Sequence, residues 1–588
     1  MAEGAAEAPA ESGSGGDPRA SEPERGVAPI KPQYLTTKEQ FHEFLEAKGQ
    51  EKPSQETKAG DPGGNDLPEP EAKRIRLEDG QPEETAEPGE QPQARKRARA
   101  DLGPCCVLFE TFGRCPYGVT CRFARAHLGP EGQNLVQEGL VQAPPVRNGL
   151  DKALQQQLRK RKICFERAEQ ALRQLGKGQL PGPASSATVP ETTEAEGAHA
   201  QQAPQEPGIV VTPSGPLRTC GPLTDEDVVR LRPCEKKRLD ISGKLYLAPL
   251  TTCGNLPFRR ICKRFGADVT CGEMAVCTNL LQGQTSEWAL LKRHPCEDVF
   301  GVQLEGAFPD TMTKCAELLN RTVEVDFVDI NVGCPIDLVY KKGGGCALMS
   351  RSTKFQQIVR GMNQVLDVPL TVKIRTGVQE RVNLAHRLLP ELRDWGAALV
   401  TLHGRSREQR YTKLADWQYI EQCVTAASPM PLFGNGDILS YEDANRALQT
   451  GVAGIMIARG ALLKPWLFTE IREQRHWDIS SSERLDILRD FTHYGLEHWG
   501  SDTQGVEKTR RFLLEWLSFL CRYVPVGLLE RLPQRINERP PYYLGRDYLE
   551  TLMASQKAAD WIRISELLLG PVPPGFIFLP KHKANAYK

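Results

Sequence analysis

Short apolar segments alternate with amphipathic segments in the middle of the chain, between residues 244 and 463. In the amphipathic segments, for example residues 311–320 and 352–366, apolar side chains recur every three or four positions, which is typical of helices. The apolar segments are rich in Val, Ile, Leu and Phe and have the length of buried strands. The predicted strands are residues 245–250, 269–274, 299–304, 327–330, 370–374, 399–403, 432–433 and 454–457.

Eight predicted strands that alternate with helices over about 220 residues favour a (β/α)8 barrel, whose typical length is about 250 residues. The alternative is a doubly wound parallel sheet, a fold that rarely needs so many units. We therefore predict an α/β protein with a TIM barrel over residues 241–470. Because the chemistry of such barrels lies at the carboxyl ends of the strands, the residues there are the first candidates for a site.

The segments on either side of the predicted barrel have different patterns. After residue 482, helical spacing predicts a small all-α domain over residues 480–570, followed by a tail of residues 571–588. Residues 131–240 combine one predicted helix, residues 150–175, with a later linker rich in Pro, Gln and Ala. The helix is loaded with Arg and Lys, so it either lies on RNA or is a solvated connection.

The N-terminal region differs from the rest in composition and charge. The 588-residue chain has 75 Lys and Arg against 75 Asp and Glu, but the charges are unevenly distributed. Residues 1–100 have few large apolar side chains and predict a disordered tail, although helical spacing at residues 40–45 could let that short segment dock. Basic clusters at residues 73–76 and 95–99 fit a nuclear-import signal, an RNA contact or a solvated charge run.

The sequence also limits the cellular compartments in which the protein is expected. No segment approaches the roughly 18 apolar residues that a membrane span needs, and the first residues lack a secretory signal. We therefore expect a soluble protein of the cytoplasm, the nucleus or both. Its 17 cysteines are then expected to be thiols or metal ligands rather than a disulfide framework.

Three cysteines and one histidine form a closely spaced set within residues 101–130. Cys106, Cys115, Cys121 and His127 could supply the closed tetrahedral donor set of a structural zinc ion. The C-x8-C-x5-C spacing resembles that of CCCH zinc fingers, modules that usually bind single-stranded RNA. His127 lies two residues beyond the family position, and Cys105 is an alternative to Cys106. We predict a CCCH-like finger here; the alternative is a cysteine-rich loop that has lost its metal.

Aromatic and arginine side chains are interleaved with these predicted ligands. They are Phe109, Phe112, Arg114, Tyr117, Arg122, Phe123 and Arg125. Aromatic faces can stack on unpaired bases while guanidinium groups hold phosphates. The interleaving therefore predicts that the finger contacts RNA.

Polar residues are concentrated where the predicted strands end. In the fifth strand polar and apolar residues alternate, and this period of two puts Lys373 on the inward polar face. The loops after strands seven and eight, which often bind phosphate in such barrels, contain Gly436, Arg459 and Gly460. Because glycines let backbone N–H groups approach a phosphate, the sequence predicts a phosphorylated cofactor at this end of the barrel.

The fourth predicted strand leads into the sequence Asn331-Val332-Gly333-Cys334-Pro335 and a glycine-rich tail. The simplest interpretation is a strand-to-loop turn with a buried structural cysteine. The N-x-G-C-P spacing and its tail also resemble the signature of tRNA-dihydrouridine synthases, flavin enzymes that reduce a uracil ring in RNA. The likeness extends over residues 244–463 and, more weakly, to residue 569.

This resemblance implies FMN as cofactor, NADPH as reductant and the conversion of uridine to 5,6-dihydrouridine in tRNA. The finger-bearing eukaryotic type implies the branch that acts on the variable loop, with messenger RNA as a further candidate substrate. The positions that the resemblance assigns to FMN are Pro249, Leu250, Gln303, Asn331, Lys373, His403, Asn435, Gly436, Asp437, Ala458, Arg459 and Gly460.

Cys334 is predicted to be the general acid of this reaction. Reduction of the uracil 5,6 double bond needs a hydride at one carbon, which reduced flavin can supply, and a proton at the other. A thiol with a pKa near 8.5 is mostly protonated at neutral pH, yet it releases its proton far more readily than a serine hydroxyl. A cysteine on a glycine-flanked loop over the barrel mouth suits that role.

A flavin deep in a barrel cannot reach a stacked base, so the uridine must be extruded and the folded RNA must be held elsewhere. The resemblance places this contact in the helical domain, where the candidate RNA contacts are Arg510, Arg511 and Arg546. Lys341 and Lys342, seven and eight residues after Cys334, are candidates to meet the substrate phosphate. Each of them could instead pair with a nearby acid or be a solvated surface charge.

Two other functions compete with this interpretation. One is an FMN barrel that acts on a free small molecule, such as a dihydropyrimidine or dihydroorotate oxidoreductase, although such a substrate needs neither a finger nor a basic helical domain. The other is an RNA-binding scaffold without enzymatic activity. We expect a monomer, and the choice between NADPH and NADH is left open because the chain has no dinucleotide fingerprint of its own.

Overall fold

The computed structural model describes residues 26–50, 102–140, 146–176, 236, 239–409, 411 and 413–581. The basic clusters predicted at residues 73–76 and 95–99 lie outside these described residues, as does most of the predicted Pro-rich linker. Those predictions therefore stay predictions. No helix within the described ranges is long and apolar enough to cross a membrane.

A closed barrel of parallel strands forms the centre of the described structure. The strands are β1 (Leu245–Leu247), β2 (Val269–Cys271), β3 (Ala275–Val276), β4 (Val299–Glu305), β5 (Phe327–Asn331), β6 (Leu370–Arg375), β7 (Leu399–His403), β8 (Leu432–Asn435) and β9 (Gly454–Ile457). They pair in the order β2-β1-β9-β8-β7-β6-β5-β4-β3, and an additional β2–β4 pairing closes the sheet. Because β2 and the short β3 both pair with β4, they occupy one barrel position, and the predicted eight-position barrel is confirmed over the doubly wound sheet.

The helices of the described residues fall into three groups. Before the barrel lie α1 (Lys38–Gln50), α2 (Val107–Phe112), α3 (Lys152–Arg159) and α4 (Glu166–Gly176). Around the barrel lie α5 (Leu256–Arg264), α6 (Cys277–Leu281), α7 (Thr285–Trp288), α8 (Pro309–Thr322), α9 (Asp337–Lys341), α10 (Ser352–Val365), α11 (Ala385–Asp394), α12 (Trp417–Ala427), α13 (Tyr441–Gln449), α14 (Arg459–Leu463) and α15 (Leu467–Glu473). After it lie α16 (Ser481–Trp499), α17 (Thr503–Leu520), α18 (Tyr548–Ala554) and α19 (Ala558–Leu569).

The strand boundaries differ from the predicted ones where side-chain pattern and backbone pairing disagree. Two predicted strands, β7 and β9, match their observed bounds. The first strand ends at Leu247 rather than at residue 250, because Pro249 cannot donate a ladder hydrogen bond. The second is interrupted between β2 and β3. Strands β5 and β8 run further than predicted, because the polar residues Asn331 and Asn435 still pair with the neighbouring strands at the carboxyl end of the barrel.

An apolar plug closes the barrel below the site. The rings of Tyr246, Phe327 and Phe433 are buried and meet edge to face, with the Tyr246 centroid 5.9 Å from that of Phe327 and 6.2 Å from that of Phe433. They lie on strands β1, β5 and β8, and Met456 and Leu399 belong to the same buried cluster. Since this end of the barrel is filled, a ligand can enter only at the carboxyl ends of the strands.

The prediction of a single basic helix at residues 150–175 differs from the structure in two respects. The segment is two helices, α3 and α4, separated by a turn in which Arg161 has a positive φ of 53°. Helix α4 also packs against α8 and α10 of the barrel, with Ala168 and Ala171 buried. The backbone N–H of Ala168 donates to the fully buried carboxylate of Glu317 at 2.7 Å. The segment is therefore part of the outer wall rather than a solvated connection, and RNA contact by its exposed basic side chains stays a prediction.

The prediction that residues 1–100 form one disordered tail is wrong for residues 26–50, which are ordered on the C-terminal domain. Helix α1 buries Phe41 and Leu45, and the Phe41 ring lies 5.5 Å from that of Tyr542. Ahead of it, the N–H groups of Ala28 and Lys31 donate to backbone carbonyls of the same domain at 2.9 Å. The docking anticipated from the helical spacing of residues 40–45 thus occurs.

Helices α16 to α19 form the predicted C-terminal helical domain, and this domain is continuous with the barrel. The buried ring of Trp516 lies 5.2 Å from that of Phe258 on α5. Its indole N–H donates to the Leu462 carbonyl of α14 at 3.0 Å. The segment after residue 570 also packs back, since Phe578 contacts the ring of Trp561. The helical domain is thus held in a fixed position beside the barrel.

Candidate active site and metal cluster

A chain of hydrogen bonds links three neighbouring barrel strands to the loop that carries Cys334. Thr371 Oγ1 and Gln303 Nε2 donate to the two carboxylate oxygens of Asp329, at 2.5 and 2.8 Å. Gln303 Oε1 accepts from Asn331 Nδ2 at 2.8 Å. Asn331 Oδ1 in turn accepts from the backbone N–H of Cys334 at 2.9 Å. The barrel interior therefore fixes the position of the cysteine loop.

The Cys334 thiol is sheltered but not sealed, because the residue is 9% exposed. Burial raises the pKa of this thiol, so it is protonated at neutral pH. The loop is also held from its far side, where Arg375 Nε donates to the Gly333 carbonyl at 2.7 Å and Nη1 donates to the Ser406 carbonyl at 3.0 Å. A protonated thiol on a rigid loop is the arrangement that a proton donor needs.

The glycine-rich tail after Cys334 is required by close packing. Gly345 has a φ of 54°, and a Cβ placed there would lie 3.0 Å from the Cys334 carbonyl oxygen and 3.1 Å from the Cys334 Cβ. Any side chain would therefore push against the cysteine loop. Gly345 thus serves the position of the thiol itself.

Lys373 and His403 lie on the two strands that follow β5 around the barrel. Desolvation and the nearby Arg375 lower the pKa of Lys373 to about 8, and its ammonium group donates to Asn435 Oδ1 at 3.3 Å. Burial and the surrounding cations hold the pKa of His403 well below its usual range, so its imidazole is neutral. The predicted inward position of Lys373 is confirmed by its contact with β8.

The loops after β7, β8 and β9 together carry a cluster of two arginines and one carboxylate. Asp437 accepts from Arg405 at 2.6 and 2.7 Å and from Arg459 at 2.8 Å. Burial lowers the pKa of Arg459 to about 10, which leaves it charged at neutral pH. The cluster therefore has a net positive charge, and the buried Nη1 of Arg405 has no hydrogen-bond partner among the described residues. This unpaired donor and the excess charge suit an anionic group such as a phosphate.

Two glycines next to this cluster allow the backbone to come close. A Cβ at Gly436 would lie 2.4 Å from the Ala415 Cβ, and one at Gly460 would lie 2.2 Å from the Ile438 carbonyl oxygen. The remaining predicted positions also lie at strand ends. Pro249 and Leu250 follow β1 and are half-buried, and Ala458 follows β9. All twelve positions assigned to FMN thus lie at one end of the barrel.

Four residues of this mouth were missed by sequence reasoning as site residues. Asp329, Arg375 and Arg405 are buried and bonded to predicted site residues or to the cysteine loop, and the pKa of Asp329 is raised to about 6 by burial. Glu305 ends β4, two residues after Gln303 on the same face, and burial raises its pKa. The period of two that located Lys373 would have located Asp329, Glu305 and Arg375.

The predicted zinc ligands come together in the structure. One ligand atom from each of Cys106, Cys115, Cys121 and His127 lies within 4.8 Å of the others, and all four residues are buried. The Cys106 and Cys121 sulfurs are 3.8 Å apart, close to the edge of about 3.8 Å expected for a tetrahedron with Zn–S bonds of about 2.3 Å. Cys105 is exposed and lies outside the cluster, so the alternative ligand is excluded.

His127 is oriented for metal binding by a neighbour. Its Nδ1 hydrogen-bonds Asn134 Oδ1 at 2.8 Å, and Asn134 Nδ2 donates to the Cys115 carbonyl at 2.8 Å. The buried Nε2 has no hydrogen-bond partner among the described residues. A histidine whose far nitrogen is fixed in this way presents the other one to a metal. The late position of His127 in the sequence therefore does not prevent it from joining the set.

The aromatic side chains of the finger do not form the base-stacking surface that their spacing predicts. Phe109 and Phe123 are buried in one cluster with Leu496, Val506 and Leu569 of the helical domain. Tyr117 and Phe112 pack against the same cluster. The prediction of base stacking is therefore wrong for Phe109 and Phe123, because the helical domain covers them, and it stays a prediction for the half-buried Phe112 and Tyr117.

The structure separates the predicted RNA contacts into two kinds. Lys341, Lys342 and Arg511 are exposed. Arg546 is bonded to Asp478 at 2.6 Å and to Glu550 at 2.7 Å, so its charge is already paired.

The assignment of Arg510 to RNA binding is wrong. Its side chain is fully buried and donates to Ser565 Oγ at 2.9 Å and to the carbonyls of Leu569 and Gly570 at 3.1 and 2.8 Å. It therefore closes the end of α19. Arg510 is buried and Arg511 is exposed because consecutive residues point in different directions from a helix.

The fold and the mouth together define a TIM-barrel enzyme with a sheltered thiol and an end suited to a phosphorylated cofactor. The family model described as dihydrouridine synthase matches residues 246–512, and the model described as the DUS3L CCCH zinc finger domain matches residues 98–130. A Homo sapiens protein called tRNA-dihydrouridine(47) synthase (NAD(P)(+))-like is 78% identical over 100% of both chains.

Two more distant relatives carry corresponding names. The Xenopus tropicalis protein called tRNA-dihydrouridine(47) synthase (NAD(P)(+))-like is 62% identical over 96% of this chain and 97% of its own. The Coprinopsis cinerea tRNA-dihydrouridine(47) synthase (NAD(P)(+)) is 47% identical over 84% of this chain and 78% of its own. The chain therefore belongs to the dihydrouridine synthase family and is an oxidoreductase of that family.

Proposed function

We propose that this protein reduces uridine to 5,6-dihydrouridine in tRNA, with FMN as cofactor, NADPH as reductant and Cys334 as general acid. The observation that carries the proposal is the position of the Cys334 thiol. It is protonated, it lies on a loop fixed by Asn331 and Arg375, and it is near enough to Arg375 and Lys373 for their charges to lower its pKa.

The residues of the mouth fit FMN. The unpaired donor of Arg405 and the charge of Arg459 would hold its phosphate, with the close-packed glycine loops beside them. Gln303, Lys373 and neutral His403 would meet the ring and ribityl portions. When bound and reduced by NADPH, FMN would supply the hydride that one carbon of the uracil ring receives.

Cys334 would deliver the proton to the other carbon of the uracil double bond. Its sheltered thiol keeps the proton until a substrate base covers the mouth. After transfer, Arg375 and Lys373 favour the thiolate electrostatically, since both act to lower the pKa of Cys334. Water would then return the proton when the product leaves.

The RNA would be held outside the mouth by exposed cations. Lys341 and Lys342 end the short helix that follows Cys334, so a phosphate next to an extruded uridine would meet them. Arg511 is exposed on α17 of the helical domain. The names of the relatives point to position 47 of tRNA, which agrees with the predicted variable-loop branch, and messenger RNA is a further candidate substrate.

The four residues of the metal cluster fit a structural zinc ion. Three thiolates and the Nε2 of His127 would hold the ion, with Asn134 as the partner that orients the histidine. A closed set of this kind has no open position for catalysis. The zinc would therefore stabilise the finger rather than take part in the reduction.

The proposal is tested with the purified protein, NADPH and unmodified tRNA, followed by mass analysis of the nucleosides. Wild type should form dihydrouridine at position 47. Cys334→Ala should keep its flavin and its oxidation of NADPH but lose uridine reduction by about 100-fold or more. Dihydrouridine formation by Cys334→Ala at the wild-type rate would refute the acid assignment.

The same assay separates the competing functions. A flavin-containing protein that leaves tRNA unchanged but reduces free pyrimidines would indicate the small-molecule oxidoreductase. A protein that binds tRNA without flavin or turnover would indicate the scaffold. Replacing NADPH with NADH at equal concentration would show which reductant is preferred, and transcripts of messenger RNA would test the second substrate.

A further inference from the structure

The finger is joined to the helical domain by backbone contacts as well as by apolar side chains. Cys121 forms a β-bridge with Asp502, and the N–H of Arg122 donates to the Ser501 carbonyl at 2.8 Å. Ser501 and Asp502 form the turn between α16 and α17. Tyr117 packs so closely on this turn that a Cβ at Gly500 would lie 2.2 Å from the tyrosine oxygen.

A hydroxyl group of this turn reaches the metal cluster itself. Ser501 Oγ lies 3.1 Å from Cys121 Sγ and 3.5 Å from Cys115 Sγ. Ser501 is only 1% exposed, so water cannot take its place. The hydroxyl comes from a residue 380 positions away from Cys121 in the sequence and belongs to another domain.

The direction of this hydrogen bond depends on the metal. A thiol can donate to the Ser501 oxygen, whereas a metal-bound thiolate can only accept. Three thiolates and one neutral histidine around a divalent ion have a net charge of about −1, which hydrogen-bond donors near the sulfurs stabilise. Within the finger, the backbone N–H of Phe123 donates to Cys121 Sγ at 3.3 Å, and Ser501 would add a second donor.

We infer that Ser501 is an outer-sphere partner of the zinc site, and that it couples metal binding to the docking of the finger on the α16–α17 turn. Zinc fixes the sulfurs where they accept from Ser501, and the docked turn fixes the hydroxyl where it donates. By thermodynamic linkage, each event then favours the other by the same free energy. The finger is thus a metal-dependent brace of the helical domain.

This inference depends on zinc occupying the cluster, which is the metal part of the proposed function and is independent of the reduction reaction. The metal content of the wild-type full-length protein tests that part separately. A protein without zinc would refute the metal assignment, whereas a zinc-containing protein allows the role of Ser501 to be measured.

The variant to compare is Ser501→Ala, which removes the hydroxyl and keeps all four ligands. The matched control is Ser518→Ala, because Ser518 is also 1% exposed on the helical domain but lies about 22 Å further along α17. Zinc affinity is measured on the full-length proteins by competition with a chromophoric chelator. We expect a loss of about 10-fold or more for Ser501→Ala and no loss for Ser518→Ala, as for other outer-shell partners of metal ligands.

Cobalt substitution provides a readout that a merely structural effect would not change. The sulfur-to-cobalt charge-transfer absorption reports the electron density on the thiolates, so loss of the Ser501 donor should shift this band while the tetrahedral d–d bands persist. An unchanged charge-transfer band together with unchanged zinc affinity would overturn the inference.

A second measurement needs no variant. Hydrogen exchange of wild-type protein is followed before and after zinc removal by a chelator. Coupling predicts faster exchange not only in residues 102–127 but also in the α16–α17 turn and the adjoining turns of both helices. If exchange rises within the finger alone, docking does not depend on the metal and the inference is wrong.

Discussion

Asn331→Asp is the substitution that tests most directly whether the hydrogen-bond chain positions Cys334. The two ends of the chain fix its direction, because backbone N–H groups at the cysteine loop can only donate and the Asp329 carboxylate can only accept. Between them, Asn331 Nδ2 must donate to Gln303 Oε1. The substitution keeps the shape of the side chain but replaces this donor with an acceptor.

No rearrangement of side chains repairs the variant while both carboxylates are ionised. The new carboxylate would face Gln303 Oε1 across 2.8 Å, acceptor against acceptor. Turning the Gln303 amide around would only move the conflict to the 2.8 Å contact between Gln303 and Asp329. A buried polar group left without a partner costs about 1–3 kcal/mol. If this cost falls on the position of the cysteine loop, turnover drops by about 5- to 160-fold.

Protonation should partly rescue the variant. Burial already raises the pKa of Asp329 to about 6, and a second carboxylate nearby raises it further. One proton shared by the pair supplies the missing donor, so the deficit of the variant should shrink as the pH falls through that range. The rate of the variant relative to wild type should therefore rise as the pH falls, whereas protonation of a surface carboxylate would restore no activity.

The assay is single-turnover dihydrouridine formation by pre-reduced enzyme at several pH values, with the rate of the variant divided by that of wild type at each pH. Asn445→Asp is the matched control, because Asn445 Nδ2 also donates to a glutamine Oε1, at 2.6 Å, but in an exposed contact on α13 that water can replace. An equal rate for Asn331→Asp and wild type at the high end of the pH series, where both carboxylates are ionised, would refute the positioning role. A deficit that does not vary with pH would refute the shared-proton explanation.

Three further predictions follow from burial and charge. Arg510→Lys should lower the free energy of unfolding in urea by about 2 kcal/mol, because a lysine cannot donate to all the acceptors at the end of α19. Arg511→Ala should leave stability unchanged and raise the KM for tRNA, because Arg511 is exposed. The reverse pattern would contradict our assignment of the two residues. Phe41→Ala should cost about 3–5 kcal/mol because its ring is buried, while Phe308→Ala, at a position 56% exposed, should cost at most about 1 kcal/mol, since its ring loses only an exposed cation–π contact with Lys354. FMN affinity measured by fluorescence should fall as the pH rises through the pKa of Lys373, about 8, because the ammonium loses its charge, and Lys373→Arg should remove that dependence; a wild-type affinity that is constant through this range would exclude a charge contact with the flavin.

The barrel could be predicted from sequence because its signal is local and repeated. Each strand buries both faces, so apolar runs such as β7 and β9 are visible without knowledge of their neighbours. The cysteine loop and the loops of Gly436 and Gly460 could be predicted for the same reason. The cysteine loop, which follows β5, packs mainly on itself and on the ends of adjacent strands. Element ends were less predictable, because pairing continues through polar residues such as Asn331.

What could not be predicted depends on contacts between distant segments. The rings of Phe109 and Phe123 have the same local pattern whether they face RNA or the helical domain, and only the packing of the finger on α16 and α17 decides between the two. Arginine is a residue type that usually lies at the surface, and only the packing of α19 shows that Arg510 is buried. A local pattern states which side chains could be useful at a surface, but not which surfaces another domain has already buried.

The sequence alone therefore determined the fold class and the four candidate metal ligands that come together, and it supports the proposals for the thiol and the cofactor end of the barrel, because each is encoded by residue types at short spacings. Tertiary structure alone decided that residues 26–50 and α4 are parts of the folded body, that the Ser501 hydroxyl contacts the sulfurs of the finger, and that Asp329 anchors the cysteine loop through Gln303. These features join residues that are far apart in the chain. Their energy appears only when folding brings the partners within hydrogen-bond or van der Waals distance.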